Sequence, residues 1–462
     1  MRILLSFALV LVVFISQNVA AQTWVKVHGT NYYINKIFLP KDNPSTIVVA
    51  ADGIPTNLQD ATIDFPRFGI SQFGMQISKD SGKTFGPNLL NTYSVYSIWQ
   101  NPTNNQMWYA SVRQITDGMI SYSSDNGQSW SENELKCVES SQIMEVATKA
   151  DDTSNVFYMA AVNTNKGAKF AINDFGLCNT IDILDIQARD VKVSPLNSNL
   201  VFYAGDNSLH AVNYTTDGGT SWQGEESGLS GLRVLCLMPS SWDPKIVYCG
   251  ADSVDYVTKE SHGKGLYQSV DGGKNWKLIA AKGQRVFQIA QHPLYPKFMA
   301  AACDSAGVLV SGTYGYGWEQ FRSGFSDTAS VRQIAIPAWD STADGFLAFA
   351  GVFGDGLWFT KNRVKTAVED NAPESSSDIA INLLYPNPVG NILSVDWSNV
   401  MSSAFHCSVI DALGRTVLKH DIDFSEPGNH YLQLDLSGLV PGIYTVIISN
   451  HLSKGLKRVS VI

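Results

Sequence analysis

The chain is poor in charge: Asp, Glu, Lys and Arg make up only 16% of its 462 residues. Basic residues are the scarcer sign, 33 against 42 acidic, for a formal net charge of -9. That balance argues against nucleic acid as a partner, because phosphate binding needs a basic face. Long apolar runs are confined to the N-terminus, where Met1-Arg2, the stretch Ile3 to Ile15 and Val19-Ala20-Ala21 read as a secretory signal, residues 1–21. It is too short for a membrane span, and no transmembrane segment is expected elsewhere. The chain has no Gly-x-Ser-x-Gly elbow, no phosphate-binding glycine loop and no dinucleotide fingerprint. Its eight histidines show no metal-ligand spacing, so neither a metal site nor a cofactor is expected. Six cysteines leave 15 complete pairings open. Cys236 and Cys249, nearly symmetric about Trp242-Asp243-Pro244, could face each other; the alternative is free thiols in small-residue slots.

What the chain does have is glycine, 37 residues, and aromatics, with a short phrase that recurs. It reads Ser78-Lys79-Asp80-Ser81-Gly82-Lys83-Thr84-Phe85, then Ser123 to Trp130 around Asp125, Thr215 to Trp222 around Asp217, and Ser269 to Trp276 around Asp271. Looser copies lie at Asp174, at Ser311 to Trp318 and at Thr360-Lys361-Asn362. Asp accepts hydrogen bonds from turn amides, Gly takes a positive φ, and the aromatic enters the next strand apolar side inward, which describes a β-hairpin tip. Successive copies are 42 to 54 residues apart, about one four-stranded propeller blade.

An apolar strand, a turn usually holding proline, and a second apolar strand precede each tip, as in Ile34 to Ala51 and Val286 to Ala302. Trp24-Val25-Lys26-Val27 looks like the strand after a tip, yet no tip precedes it, and the seventh unit lacks that strand. The expected fold is therefore all-β: a seven-bladed β-propeller over residues 22–362, closed by its N-terminal strand, which removes exposed edges. A polar, acidic linker, 363–380, separates it from a small C-terminal β-sandwich, 381–462, whose short runs alternate apolar and polar residues.

Within that last segment, Leu384-Tyr385-Pro386-Asn387-Pro388, Asp411-Ala412-Leu413-Gly414-Arg415, Leu436 to Tyr444 and Lys457-Arg458 resemble, in order, the type IX secretion C-terminal sorting domain. The resemblance implies a Gram-negative bacterium, handling by the type IX machinery through residues 381–462, and a secreted or outer-membrane surface location. The repeats resemble the Asp-box (BNR) propellers, which include sialidases, xyloglucan hydrolases and sortilin-like receptors. That implies the fold and leaves activity open.

The tip aspartates Asp80, Asp125, Asp174, Asp217 and Asp271 read as structural, their carboxylates consumed by local donors. A ligand site is expected at the opposite rim. Aligning the inner strands puts Arg189, Arg233 and Arg285 in one slot with Tyr33, Ser94, Gln142 and Ser330, and Arg332 two residues along the next strand. Converging guanidiniums would suit carboxylate or sulfate. Asp52, Asp206, Asp252 and Asp304 end the second strands near the same rim, so an Arg–Asp ring that holds adjacent blades together and needs no ligand is the more economical reading of these residues. The leading expectation is a non-catalytic propeller binding an extracellular glycan or protein there. The alternative is a glycoside hydrolase, or polysaccharide lyase, with Asp52 and one of Asp206, Asp252 or Asp304 as its acid pair. The Arg-Thr and Gly-Gly flanks of the xyloglucan hydrolase motif are missing around Asp52.

Overall fold

The computed structural model describes residues 23–360 and 379–462, leaving aside segments 29–32, 53–73, 114–117, 132–134, 139–141, 149–155, 163–165, 173–177, 185–186, 207–209, 339–344, 400–402, 412–414, 426–427 and 451–453 and four single positions. Every regular element among the described residues is a β-strand. Residues 24–360 form seven small antiparallel sheets. Their inner strands, first sheet to seventh, are Tyr33–Phe38, Ser94–Gln100, Gln142–Thr148, Gln187–Ser194, Arg233–Pro239, Val286–Gln291 and Val331–Ala335. Each packs against the inner strand of the next sheet, and the seventh packs against the first, so the contacts run round a circle.

Seven apolar layers fill the spaces between neighbouring sheets. Successive side chains of a strand point to opposite faces. In the second strands, which are buried on both faces, adjacent residues therefore serve different layers. Phe202 packs toward the fifth sheet and Tyr203 toward the third. This is why these strands read as unbroken runs of Ala, Val, Phe and Tyr. Cys236 and Cys249 obey the same rule: Cys236 pairs with Gly250 and Leu237 with Cys249, so the two thiols sit in different layers. The one-residue offset rules out the disulfide between them. Cys236, Cys249, Cys303 and Cys407 are free and buried.

The outer strand of the seventh sheet is Trp24–His28, antiparallel to Gly356–Thr360 with Trp24 opposite Thr360. Trp24 is buried, stacks on Phe325 at 5.0 Å and donates from Nε1 to the Phe321 carbonyl at 3.1 Å, which ties it to the sixth sheet as well. The first sheet has three strands among the described residues, with an isolated bridge between Met75 and Leu89 beyond them.

A β-bulge interrupts every inner strand near its start. The skipped residues are Asn35, Tyr96, Met144, Arg189, Leu235, Phe287 and Arg332. A bulge adds one residue against the partner strand and re-aims its neighbours. Core residues are consequently three apart, as in Ile34 and Ile37 or Val286 and Ile289, with two polar or half-buried side chains between them turned toward the axis. In the fourth, fifth and sixth sheets the residue after the bulge reaches the next sheet. Asp190 accepts from the Leu237 amide at 2.7 Å, Gln288 accepts from the Ile334 amide at 3.0 Å, and Cys236 lies 3.5 Å from the Val286 carbonyl. Lys36 of the first sheet, Glu145 of the third and Lys192 of the fourth form an ion chain completed by Asp190, 2.8 Å from Lys192. Burial opposes ionisation of Glu145, but Lys192 and Lys36 overcome it and hold its carboxyl below the usual range.

At the opposite end, the described tips share one hydrogen-bond pattern. Asp217 accepts from the Thr220 and Ser221 amides at 2.9 Å and from the Ser221 and Thr215 hydroxyls at 2.6 Å, and Asp80, Asp125 and Asp271 repeat the arrangement. The Thr84 hydroxyl and amide hold the Asp80 carboxyl down to about 2, and those of Ser129 do the same for Asp125. Asp174 lies outside the described residues. In the sixth sheet Thr313 takes the aspartate's place, its Oγ1 accepting from the Gly317 amide at 2.9 Å. The tips also staple neighbouring sheets: Tyr158 of the third donates to the Gly218 carbonyl of the fourth at 2.9 Å, and Tyr248 of the fifth to the Tyr314 carbonyl of the sixth at 2.6 Å.

Residues 379–462 form a separate sandwich. A three-stranded sheet of Ile379–Tyr385, Ile392–Asn399 and Gly428–Asp435 faces a four-stranded sheet ordered Thr416–Ser425, Ser403–Ile410, Gly442–Ser449 and Lys454–Val461. Trp397 meets Phe405 edge to face at 4.9 Å at the centre of their shared core. The first strand begins two residues before the boundary drawn from sequence.

Two outcomes follow from the turns. Gly127 has φ of 78°, and a Cβ there would stand 2.7 Å from the Trp108 ring. Gly127→Val should lower stability by about 2–4 kcal/mol, read as a lower urea midpoint. His292, fully buried, accepts at Nδ1 from the Leu294 and Tyr295 amides, both at 3.0 Å, which requires that nitrogen to be unprotonated. Burial lowers its pKa to about 4, against 6.5 for the ordinary group. Its contribution to stability is therefore complete above pH 6.5 and lost as pH falls toward 4. Asn101 caps the equivalent turn of the second sheet through Oδ1, at 2.9 and 3.0 Å. His292→Asn should keep the cap and remove about 2 kcal/mol of the stability loss between pH 7 and pH 5, measured by urea unfolding at both.

Candidate functional site at the upper rim

The inner strands start, and their neighbours end, at the mouth opposite the tips. Cross-strand pairs there are Tyr33 with Asp52, Ser94 with Arg113, Gln142 with Val162, Gln187 with Asp206 and Arg233 with Asp252. In the sixth and seventh sheets the Asp304 amide donates to the Arg285 carbonyl and the Phe353 amide to that of Ser330. The rim slot thus holds Gln187 in the fourth sheet, and the alignment of Arg189 with Arg233 and Arg285 is corrected. Arg189 is the bulged residue, equivalent to Arg332. Ala188, fully buried, fills the core position that a larger apolar side chain takes in most other sheets.

The rim arginines have different surroundings. Arg233 meets Asp252 through two parallel bonds, Nε at 2.8 Å and Nη2 at 2.5 Å, and the Ser261 hydroxyl donates to the same carboxylate. Arg233 is 7% exposed and Asp252 not at all. This pair locks the two ends of one hairpin within its own sheet. Arg113, which sequence reasoning passed over, is likewise buried and donates to Gln142 Oε1 of the third sheet at 2.7 Å.

Arg285, Asp304 and Arg332 form a more open group between the sixth and seventh sheets. Arg285 Nε donates to Asp304 at 2.9 Å, and Nη2 contacts the same oxygen. Burial would raise the Asp304 pKa, but the Ser330 hydroxyl and the Arg285 and Arg332 guanidiniums outweigh it and keep the carboxyl ionised below the usual range. The Arg332 guanidinium lies 4.0 Å from the centroid of Phe287 and 4.7 Å from that of Phe353, and Arg332 Nε donates to Ser330 Oγ at 3.1 Å. The Arg285 guanidinium lies 5.5 Å from the centroid of Phe287, and Tyr33 of the first sheet meets Phe353 edge-on at 4.5 Å. All are half-buried. Two cations, three aromatic rings and one carboxylate are therefore gathered where the sixth, seventh and first sheets meet. Phe287 was hidden in sequence because only a bulge turns it away from the core. Phe353 follows a strand and carries no motif.

Of the carboxylates proposed as an acid pair, Asp252 is enclosed and bonded to Arg233, and Asp304 is paired with Arg285. Asp52 and Asp206 end their strands at the rim, and their side chains lie outside the described residues. No group of three or more possible metal ligands is found among the described residues.

Residues 383–462 match the family profile described as a secretion system C-terminal sorting domain. No curated protein sequence matches the chain. Among solved structures, YCF48 bound to a D1 peptide is 13% identical with a TM-score of 0.51, covering 75% of this chain and 97% of its own. YCF48 from Cyanidioschyzon merolae is 12% identical with a TM-score of 0.51, over 73% and 98%. The GH74 xyloglucanase from Xanthomonas campestris is 12% identical with a TM-score of 0.53, over 82% of this chain and 60% of the xyloglucanase. These likenesses establish the β-propeller fold. The chain thus joins an all-β propeller to a type IX sorting domain, which directs it to the cell surface or outside.

Proposed function

We propose that this is an exported, non-catalytic propeller of seven blades, closed by its N-terminal strand, that binds an acidic or hydroxyl-rich glycan at the rim of the sixth, seventh and first sheets. The observation that carries the reading is the Arg332 guanidinium held between Phe287 and Phe353 beside Arg285. Planar guanidiniums offer paired donors to carboxylate or sulfate, and partly exposed rings offer flat faces to the apolar side of a sugar. The enclosed Arg233–Asp252 pair and the buried Arg113 are given a structural role.

The two kinds of arginine should separate by experiment. With uronic-acid and sulfated oligosaccharides as probes, Arg332→Ala is expected to weaken binding about tenfold or more, measured by titration calorimetry, with little change in the urea midpoint. Arg233→Ala should instead cost about 3–5 kcal/mol of stability, because it strands Asp252 without a partner in the interior. Absence of binding across a glycan array would sink the proposal, and release of reducing ends from a polysaccharide would replace it with the hydrolase.

A further inference from the structure

The sixth tip differs from the others in more than its missing aspartate. Where the first residue of the left-handed pair is Ser81, Asn126, Gly218 or Gly272 in other tips, the sixth has Tyr314, with φ of 54°. A bulky residue in that region is rare, and such strain persists only where its surroundings hold it in place. Here the surroundings come from two places. Trp242 of the fifth sheet meets the Tyr314 ring edge to face at 4.9 Å, and Tyr248 donates to its carbonyl. On its other side Tyr314 stacks on Tyr385 of the C-terminal sandwich at 5.3 Å with ring planes 22° apart, and its hydroxyl donates to Asp396. Tyr316, two residues on, meets the same Tyr385 at 4.5 Å.

We propose that the sixth hairpin tip is a dedicated seat for the C-terminal sandwich, with Tyr314 and Tyr316 as its aromatic floor and Asp396 as the acceptor that fixes the orientation. The partner side is built for the contact. Tyr385 is 2% and Asp396 7% exposed. Asn382 Nδ2 donates to the second oxygen of Asp396 at 3.0 Å, which leaves the first directed at Tyr314. Burial first, then the Asp396 charge, push the Tyr314 hydroxyl's pKa up, so it remains a donor throughout the physiological range. Offset aromatic pairs and a charge-assisted hydrogen bond together give the contact a defined geometry in place of loose tethering.

The test is hydrogen exchange on the chain from Gln22 to Ile462, comparing the parent with Tyr314→Gly and Asp396→Asn. Glycine suits the tip backbone, as Gly218 and Gly272 show in the same place. Tyr314→Gly is expected to speed exchange of amides in 382–397, and Asp396→Asn that of amides in 312–318, each by about tenfold or more, while amides in 285–291 keep their parental rates. A rise in the radius of gyration by small-angle scattering should accompany both. If each substitution alters exchange only within its own unit, or the radius of gyration is unchanged, the seat does not exist. Should Tyr314→Gly disturb the whole propeller, Asp396→Asn decides alone.

Discussion

One extra residue in each of seven inner strands governs most of this structure. A regular strand would alternate core and axis side chains, leaving single residues toward the centre. The bulge leaves two in succession, such as Arg332 and Gln333 or Arg189 and Asp190. In the fourth and sixth sheets the second member, Asp190 or Gln288, ties its sheet to the next by accepting from a backbone amide. One backbone irregularity thus sets which adjacent positions leave the regular alternation of the strand.

Several of the buried charges are retained with well-matched partners. Low local dielectric makes an unpaired buried charge costly and a well-matched pair tolerable. Arg233 and Asp252 meet that condition with parallel bonds and a hydroxyl, and Glu145 meets it with two lysines and Ser97. The tip aspartates meet it differently: they remain at the surface and bind the amides of their own turn. These three solutions place nearly all the conspicuous charge of a charge-poor chain in structural service, which is why counting acids and bases says little about the ligand.

The sequence was most legible where local chemistry repeats. Ser-x-Asp-x-Gly-x-Ser/Thr-Trp carries its own geometry, so the hairpin ends and the sheets between them could be read directly. The placement of Trp24 beside Thr360 followed from a strand without a tip and a tip without a strand. The rim was less legible because bulges shift the period-2 pattern. In six strands the shift is uniform and goes unnoticed. In the fourth, Ala188 supplies too weak a core signal, and Arg189 was placed one slot away from its true equivalents. The proposed cystine failed for a related reason: equal distance from a turn does not fix which strand face a side chain takes. Contacts between units, such as Tyr314 with Tyr385, have no sequence period at all.

Joining Trp24–His28 to the last of the seven sheets has a further consequence for the order of events during synthesis. The earliest strand finds its partner only after Gly356–Thr360 has left the ribosome, so the seventh sheet keeps Gly356–Thr360 as an unpaired edge until nearly the whole propeller has been made. Such long-range pairing is intrinsically slow, and unpaired edges invite association with other chains. The interval before Trp24–His28 pairs is therefore when the edge at Gly356–Thr360 is most open to a strand of another chain.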